Sequence, residues 1–194
     1  MTQPLGPKAT SVTQEGAPDD FVIEAGYRGE DDGRGTTRIV ASVPTERLAS
    51  VHAQLVRALG TPVGVLYRQK VDRRDPKPNG APPRDFIALE LPADVVLEAL
   101  SEAAPLVYHD ARCEVWLRGR LGDQVVLDAD GVLYCYPDDP AFRDALDACG
   151  VPVREVPTMA DRDYVKHWFH AENDALEDAL VARLGLTEVP HHGR

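Results

Sequence analysis

The sequence predicts an α+β fold in which an antiparallel sheet carries its helices on one face. The main observation is a pattern that occurs three times: a short apolar strand runs into a proline, and a helix begins directly after it. The three prolines are Pro44, Pro92 and Pro137. Another strand precedes each copy, so the chain contains three successive strand-strand-helix units. Since proline ends a strand and is tolerated in the first turn of a helix, the helices are expected to leave equivalent strand ends and to share a face.

Taken one strand later, residues 39–119 follow the order β-α-β-β-α-β, which is the split-βαβ or ferredoxin-like order. Residues 120–156 add a ββαβ unit, which could widen the same sheet or form a second lobe. A long C-terminal helix completes the expected fold. The three units share a pattern but no detailed sequence, and proline at a strand exit is a common stop signal. True internal duplication and chance convergence therefore both remain open.

The chain is expected to form one domain with a tail at each end. Residues 1–20 are rich in Pro, Gly, Thr, Ser and Gln and contain almost no large apolar residues, which predicts a flexible tail. The single α+β domain spans residues 21–186, with possible sub-lobes at 21–110 and 111–186. Residues 187–194 are predicted to form a loose tail.

Each element has its own local signal. Runs of β-branched and aromatic residues bounded by turns predict strands, and apolar residues at helical spacing behind a cap predict helices. Glu46 suits the first turn of the first helix, and Gly60 suits the position after its end. The strands are expected at 21–27, 37–43, 62–71, 86–91, 113–119, 122–137 (a hairpin turning at Asp130-Gly131) and 151–156, and the helices after Pro44, at 93–104, after Asp138 or Asp139, and at 161–184.

Composition restricts the class of protein. The 194 residues are 43% hydrophobic and 27% charged, which is typical of a globular domain. No apolar run is long enough to span a membrane, and the N-terminus lacks the positive and apolar stretches of a secretory signal. We therefore expect a cytoplasmic protein. Three cysteines without a CxxC pair fit reduced thiols that pack as small hydrophobes.

The net charge of −11 favours some partners over others. Phosphate contacts need a basic surface, so binding to nucleic acid is not expected. A basic protein partner would suit the acidic surface. The chain also lacks the GxGxxG, GxSxG, CxxC and GxxxxGK[ST] motifs, on which several large enzyme classes depend.

The last predicted helix carries the sharpest group of chemically active residues. Asp163, His167, His170 and Asp174 have the spacing i, i+4, i+7 and i+11, which places them on one face of a helix. Imidazole and carboxylate groups are ligands for Zn²⁺ and other transition metals. The alternative is a solvated polar face opposite the apolar face of the same helix. The sequence suggests no cofactor other than such a metal.

A basic, proline-rich loop at 68–84 interrupts the strand pattern and is expected to be exposed. Its Arg73 and Arg74 could contact phosphate or an acidic patch on a partner. The alternative is a hairpin connection whose charges only maintain solubility. The loop has no aromatic residue on which a nucleic-acid base could stack.

Two adjacent aromatic residues lie on the last predicted helix. Neighbouring helical positions point about 100° apart, so both rings could be partly buried, or one could stay exposed as an anchor for a partner. The same helix carries acidic residues that could face a basic partner. The candidate partner-binding residues are Trp168, Phe169, Asp174, Glu177, Arg73 and Arg74.

Two functions of different classes follow. The first is a non-catalytic cytosolic interaction module, such as an adaptor or an immunity-type or inhibitor protein, that acts on a basic protein partner through an acidic surface. The second is a metal-dependent enzyme or ligand binder centred on His167 and His170. The first is preferred, because the helical stripe alone supports the second. Convergence of both histidines with a carboxylate from another element in a concave pocket would favour the second.

Overall fold

An eight-stranded antiparallel sheet forms the centre of the protein. The computed structural model describes residues 5–31, 33, 35–78, 81–168 and 170–190. Within these residues the strands are β1 (Ala9–Ser11), β2 (Gly26–Asp31), β3 (Thr37–Ser42), β4 (Val63–Gln69), β5 (Arg84–Leu91), β6 (Cys113–Arg118), β7 (Gln124–Leu127), β8 (Leu133–Tyr136), β9 (Tyr164–Lys166) and β10 (Thr187–Val189). The α-helices are α1 (Thr45–Ala58), α2 (Ala93–Glu102), α3 (Ala104–His109), α4 (Pro140–Ala148) and α5 (Asn173–Arg183).

The large sheet has the strand order β10-β5-β4-β6-β7-β8-β3-β2, and β1 pairs with β9 in a separate two-stranded sheet. The mixed α+β class with antiparallel sheets is therefore confirmed. The succession β3-α1-β4-β5-α2-β6 along the chain also agrees with the predicted order, with the short helix α3 added before β6. The arrangement in space is not ferredoxin-like, because β6, β7 and β8 lie between the two strands that α1 connects.

The hairpin β7–β8 explains this difference. Of the two alternatives for residues 120–156, the structure contains the wider sheet rather than a second lobe: their hairpin lies in the middle of the same sheet, between β6 and β3. Strands from both predicted sub-lobes, 21–110 and 111–186, thus share one sheet and one buried core. Pairing between strands far apart in sequence decides this arrangement, and local patterns contain no information about it.

The helices pack against one face of the sheet, and the core lies between the two layers. α1 contacts α2, α3 and α4, while α5 contacts α2 and α3. Burial alternates along the strands: in β4, Val63, Val65 and Tyr67 are buried and the residues between them are only half-buried. Leu55 and Val56 of α1 are fully buried against this face. Each such side chain contributes about 1.5–3 kcal/mol to stability when it leaves water.

The strand-exit prolines start helices in two different ways. Pro44 and Pro92 are themselves the N-cap residues of α1 and α2, and neither helix has a side-chain cap. α4 is capped by Asp139, whose carboxylate accepts a hydrogen bond from the backbone N–H of Ala141 at 2.8 Å. At the end of α1, Gly60 has a φ of +74°, a conformation that favours glycine.

The described part of the N-terminal segment is not the flexible tail predicted for residues 1–20. β1 pairs with β9, and Lys8 beside it is only 2% exposed. The Lys8 Nζ donates hydrogen bonds to the carbonyl oxygens of Val107 and Cys113, both at 3.0 Å. A three-residue strand is stabilised by its partner rather than by its own composition, so no local sequence pattern predicts it. Residues 1–4 lie outside the described part of the chain.

The strand assignments near the other chain end and at the sheet edge also change. The predicted loose tail 187–194 contains β10, which pairs with β5 as an edge strand, and residues 191–194 are outside the described part. The strand predicted at 151–156 is reduced to a single bridge between Val153 and Tyr27. β2 begins five residues later than the predicted strand and continues into the predicted loop.

The long C-terminal helix predicted at 161–184 is wrong in its first half, because α5 begins at Asn173. Upstream of α5, Thr158 and Asp161 form a capping box around a short 3₁₀ turn, and β9 follows directly. Pairing of β9 with β1 satisfies the backbone groups of both segments, and this tertiary contact overrides a residue pattern that is compatible with a helix.

His52 of α1 is a fully buried titratable group in the core. Its Nδ1 lies 3.1 Å from the hydroxyl of Tyr108, and its Nε2 has no hydrogen-bond partner among the described residues. Burial, assisted by the positive charge of Lys8, lowers the pKa of His52 from 6.5 to about 3. The imidazole is therefore neutral in the folded protein at physiological pH.

Replacing His52 by Gln should remove one source of acid sensitivity. Because the folded-state pKa is lowered, the unfolded chain binds a proton at His52 between about pH 3 and 6.5 that the folded chain does not bind. The stability of the wild type therefore falls as the pH falls through this window. Below about pH 5.5 the difference in unfolding free energy between wild type and His52→Gln should change by about 1.4 kcal/mol per pH unit. Urea unfolding at a series of pH values measures it; a pH-independent difference would contradict the assignment.

Candidate functional site

The basic loop and the last helix, both singled out in the sequence, lie side by side and pair their charges. The guanidinium of Arg73 donates two hydrogen bonds to the carboxylate of Asp174. Arg74 donates to Asp178 at 2.9 Å and to Glu177 at 3.4 Å. Four of the predicted partner-binding residues thus contact one another, and their charges are largely compensated within the chain.

Arg112 is the centre of this cluster, and its side chain is 0% exposed. It donates to Asp110 at 3.0 Å, to Asp174 at 2.7 Å and to the backbone oxygen of His170 at 2.7 Å. Asp110, also fully buried, accepts further hydrogen bonds from the backbone N–H of Arg112 and from Asn173. Burial opposes the charge of Arg112, but the hydrogen bonds to Asp110 and Asp174 outweigh it and raise its pKa. Sequence reasoning missed this residue.

The pKa values of Asp174 and Glu177, two carboxylic acids of α5, are shifted in opposite directions. Hydrogen bonds from Arg73 and Arg112 lower the pKa of Asp174 to about 2, against the effect of its partial burial. Burial raises the pKa of Glu177, although a hydrogen bond of 2.5 Å from the Tyr67 hydroxyl and the charge of Arg112 partly offset that effect. Such perturbed values also arise in structural ion-pair networks. The contacts here connect α5 to the sheet, and they leave no exposed acidic face at Asp174 and Glu177.

The residues of the predicted metal site do not share a helix face, so the helical stripe on which that prediction depended is absent. His167 lies just after β9, with its Nε2 2.6 Å from the hydroxyl of Thr10. Asp163 precedes β9, His170 precedes α5, and only Asp174 is helical. Within the described residues, no three or more His, Cys, Asp or Glu side chains are grouped so that they could hold a metal ion.

The predicted aromatic anchor Trp168 does not lie on a helix either. Trp168 is half-buried in the segment between β9 and α5, and Phe169 lies outside the described residues.

The three cysteines are unpaired: Cys113 and Cys135 are buried in the core and Cys149 is half-buried. Burial raises the pKa of the Cys113 thiol to about 11, so this thiol is protonated and unreactive at neutral pH.

The sheet face opposite the helices is only half covered. On one half, Val40 and Val126 are 4% and 3% exposed although they point away from the helices. The chain leading to β9 crosses this half, and Arg28 donates a hydrogen bond to the backbone oxygen of Val156 there. On the half formed by β4, β5 and β6, Leu89 is 73% exposed. The protein thus covers half of this face with its own chain and leaves the other half open.

The open half forms an apolar groove of about 590 Å³. Its floor is a row of directly paired strand residues, Ile87, Leu66 and Trp116, with Leu89 along one side. The indole N–H of Trp116 donates to Glu114 at 3.2 Å, which fixes the ring on the sheet. Because directly paired residues point to the same side of a sheet, these side chains form one continuous surface.

A strained β-bulge lies at the edge of the groove. The register shifts between Val63 and Val65, so that Leu89 and Glu90 together oppose the single residue Gly64. Glu90 has a φ of +57°, a left-handed conformation that costs a non-glycine residue roughly 1 kcal/mol or more. Bulges redirect side chains and are frequent beside functional sites. Here the bulge occurs where the exposed Leu89 lines the groove.

The groove also has a charged rim. Arg118 at the end of β6 and Arg120 in the following turn are both exposed, and neither guanidinium has a hydrogen bond or ion pair among the described residues. Arg68, at the other end of the floor, lies over the Trp116 ring and forms a bidentate pair with Asp85 at 2.8 Å. The rim is therefore compensated at one end and positively charged at the other.

The groove has one signal in the sequence, which lies in β5 and formed no part of the predicted sites. β5 has apolar residues at consecutive positions from Phe86 to Leu89, so both of its faces are apolar. Such a strand is typical of a sheet that is covered on both sides. In the protein the helices cover only one of those faces at β5, and the apolar residues on the other face remain accessible.

The fold and the groove define a two-layer α+β protein with one open half-face on its sheet. Comparisons of the chain with protein-family models, curated proteins and solved structures found no match. Among the described residues, no helix is long and apolar enough to cross a membrane.

Loss of Arg112 should strongly destabilise the fold. Arg112→Met leaves Asp110 fully buried without a cation, for which we expect a cost of about 3–5 kcal/mol. The matched control is Arg73→Met, because Arg73 is solvent-accessible and Asp174 would keep its contact with Arg112. The loss of unfolding free energy in Arg73→Met should be much smaller. Denaturant unfolding of both variants measures the difference, and equal losses would show that Arg112 is not the centre of the cluster.

Relief of the backbone strain at Glu90 should stabilise the protein. Glu90→Gly places at φ +57° the residue that adopts this conformation without steric cost, so we expect a gain of up to about 1 kcal/mol. Glu90→Ala is the control, since it removes the same carboxylate but retains the strain. If both variants change the unfolding free energy equally, backbone strain at Glu90 does not limit stability.

Proposed function

We propose that the protein is a non-catalytic interaction module that binds a protein partner through the open half of its sheet. The observation that carries the proposal is the apolar groove on a face whose other half is covered by the protein's own chain. Contiguous apolar surface with a polar rim is typical of a site that is covered by a partner. A cytoplasmic location is part of the proposal and agrees with three unpaired thiols.

The groove has the composition of an interaction site. Its floor combines a fixed aromatic ring, Trp116, with the aliphatic residues Leu66 and Ile87, and buried aromatic anchors dominate the energetics of many interfaces. The strands that carry the floor lie within the large sheet, so the groove is preorganised and a partner need not order it. Most of the Leu89 side chain is exposed, so a partner that covers it removes a large apolar area from water.

The proposed class of function, a non-catalytic interaction module, is the one that the sequence favoured. The proposed binding surface is different, because it is the groove rather than the acidic residues of α5. The expectation of a basic partner depended on acidic residues of α5, of which Asp174 and Glu177 are compensated by Arg73, Arg74 and Arg112. A metal-dependent activity at the histidines depended on a helix face that does not exist. Neither the basic partner nor the metal is associated with a site as well defined as the groove.

The proposal predicts a partner whose binding depends on the groove. The double variant Ile87→Thr/Leu89→Thr removes apolar surface but retains β-branched residues suited to a strand. Val22→Thr is the control, since Val22 is 72% exposed and lies outside the groove. Tagged proteins immobilised in a lysate of the source cells, followed by mass spectrometry, identify binding proteins. A partner that Val22→Thr retains and the double variant loses is then purified for titration.

In that titration we expect the double variant to lose about tenfold or more in affinity, as is typical when anchor contacts are removed. Urea unfolding of each variant verifies that the fold is intact. The proposal is overturned if every captured protein binds the double variant as well as it binds the wild type, or if no protein is captured reproducibly.

A further inference from the structure

We infer that the groove takes a short extended segment of its partner that combines apolar side chains with carboxylates, and that these carboxylates pair with Arg118 and Arg120. This inference depends on the proposed function and adds the chemistry of the occupant. It also reverses the sign of the partner's charge that the net charge of −11 suggested. The local charge of a binding surface, rather than the net charge of the chain, selects the group in direct contact.

The two arginines differ from most others in the protein. Arginines elsewhere, among them Arg38, Arg143 and Arg162, donate hydrogen bonds to carboxylates of the same chain. Arg118 and Arg120 have no such partner within the described residues, and both line the groove. An exposed guanidinium presents a planar set of donors that matches a carboxylate in two-point geometry.

The carboxylates near the groove do not neutralise this rim. Glu90 is the acidic residue in the groove lining, and it belongs to β5, two strands away from Arg118. Asp123 of the β6–β7 turn lies against Gly119 and is not part of the lining. The end of the groove at β6 therefore retains an excess of positive charge.

The dimensions of the floor set the length of the segment. The floor crosses β5, β4 and β6, and neighbouring strands are about 4.8 Å apart, so it is about 10 Å wide between the outer strands. An extended chain advances about 3.3 Å per residue, which corresponds to three or so residues across the floor. One or two apolar side chains would cover Leu66 and Trp116, and an acidic residue would follow at the β6 end.

Other occupants fit the charges less well. A second copy of this chain would also carry a net charge of −11, and two strongly acidic copies repel each other. A basic segment would be repelled by Arg118 and Arg120. Nucleic acid would find one aromatic ring, Trp116, above an apolar floor on a strongly acidic protein, which is unfavourable for phosphate contacts.

Three six-residue peptides with blocked ends test the inference. They alternate Leu with Glu, Leu with Lys, or Leu with Gln, and each carries the same fluorescent label for polarisation titrations. We expect the Leu-Glu peptide to bind the wild type about tenfold more tightly than the Leu-Lys peptide, with the Leu-Gln peptide between them. The preference should decrease as salt is added, because exposed charge pairs are screened.

Charge reversal provides the matched variants. Arg118→Glu/Arg120→Glu should invert the preference in favour of the Leu-Lys peptide. Arg57→Glu is the control, because Arg57 is an exposed arginine of α1 outside the groove, and its side chain has no hydrogen bond or ion pair among the described residues that the change would break. It should leave the order of affinities unchanged.

The outcomes separate the inference from the function that it depends on. If all three peptides bind equally and Ile87→Thr/Leu89→Thr weakens all of them, the groove is a binding site and the inferred charge preference is wrong. If the Leu-Glu peptide binds but the double variant does not weaken it, the groove is not the site and the proposed function fails as well. A preference for the Leu-Lys peptide, absence of binding by the Leu-Glu peptide, or self-association through the groove detected by light scattering would each overturn the inference.

Discussion

The buried ion pair between Arg112 and Asp110 is the constraint on which the arrangement of the chain depends. Both side chains are inaccessible to solvent, so each charge is tolerated only while the other is in place. The guanidinium also contacts α5 through Asp174, and the backbone oxygen of Arg112 accepts hydrogen bonds from Lys70 and Val71 of the basic loop. One residue just before β6 therefore fixes the positions of the last helix and of the basic loop relative to the sheet.

This arrangement explains why the net charge of the chain is a poor guide to the local charge of its surface. The protein is strongly acidic, yet much of its basic complement is paired with acidic groups on distant segments, as in the contacts of Arg84 with Glu188 and of Arg183 with Glu98. Single exposed pairs of this kind contribute little to stability. Their main consequence is that the charges which remain uncompensated, such as Arg118 and Arg120, have a larger influence on which partner can approach.

Local signals predicted those elements whose cause is local. The proline-led helices, an aspartate cap on α4 (Asp139 of the two candidates Asp138 and Asp139) and the turn at Asp130-Gly131 follow from turn chemistry and helical spacing, and the structure contains them. The placement of β7–β8 in the middle of the sheet, the pairing of β1 with β9 and the burial of Arg112 depend on residues far apart in sequence. Arg112 in particular follows a turn and precedes a strand, a position at which exposed arginines are common, so its burial had no signal in the sequence.

The open groove follows from the same topology. Because the chain leading to β9 must reach β1, it crosses the half of the sheet formed by β2, β3, β8 and β7 and covers the apolar residues there. No described segment crosses the half formed by β4, β5 and β6, although Leu66, Ile87 and Trp116 are as apolar as the residues that are covered. Exposure of such a floor costs free energy that self-coverage would recover. A strained bulge at Glu90, which keeps Leu89 exposed beside this floor, adds to that cost. A surface maintained at the expense of stability is expected where binding, rather than folding, selects the residues.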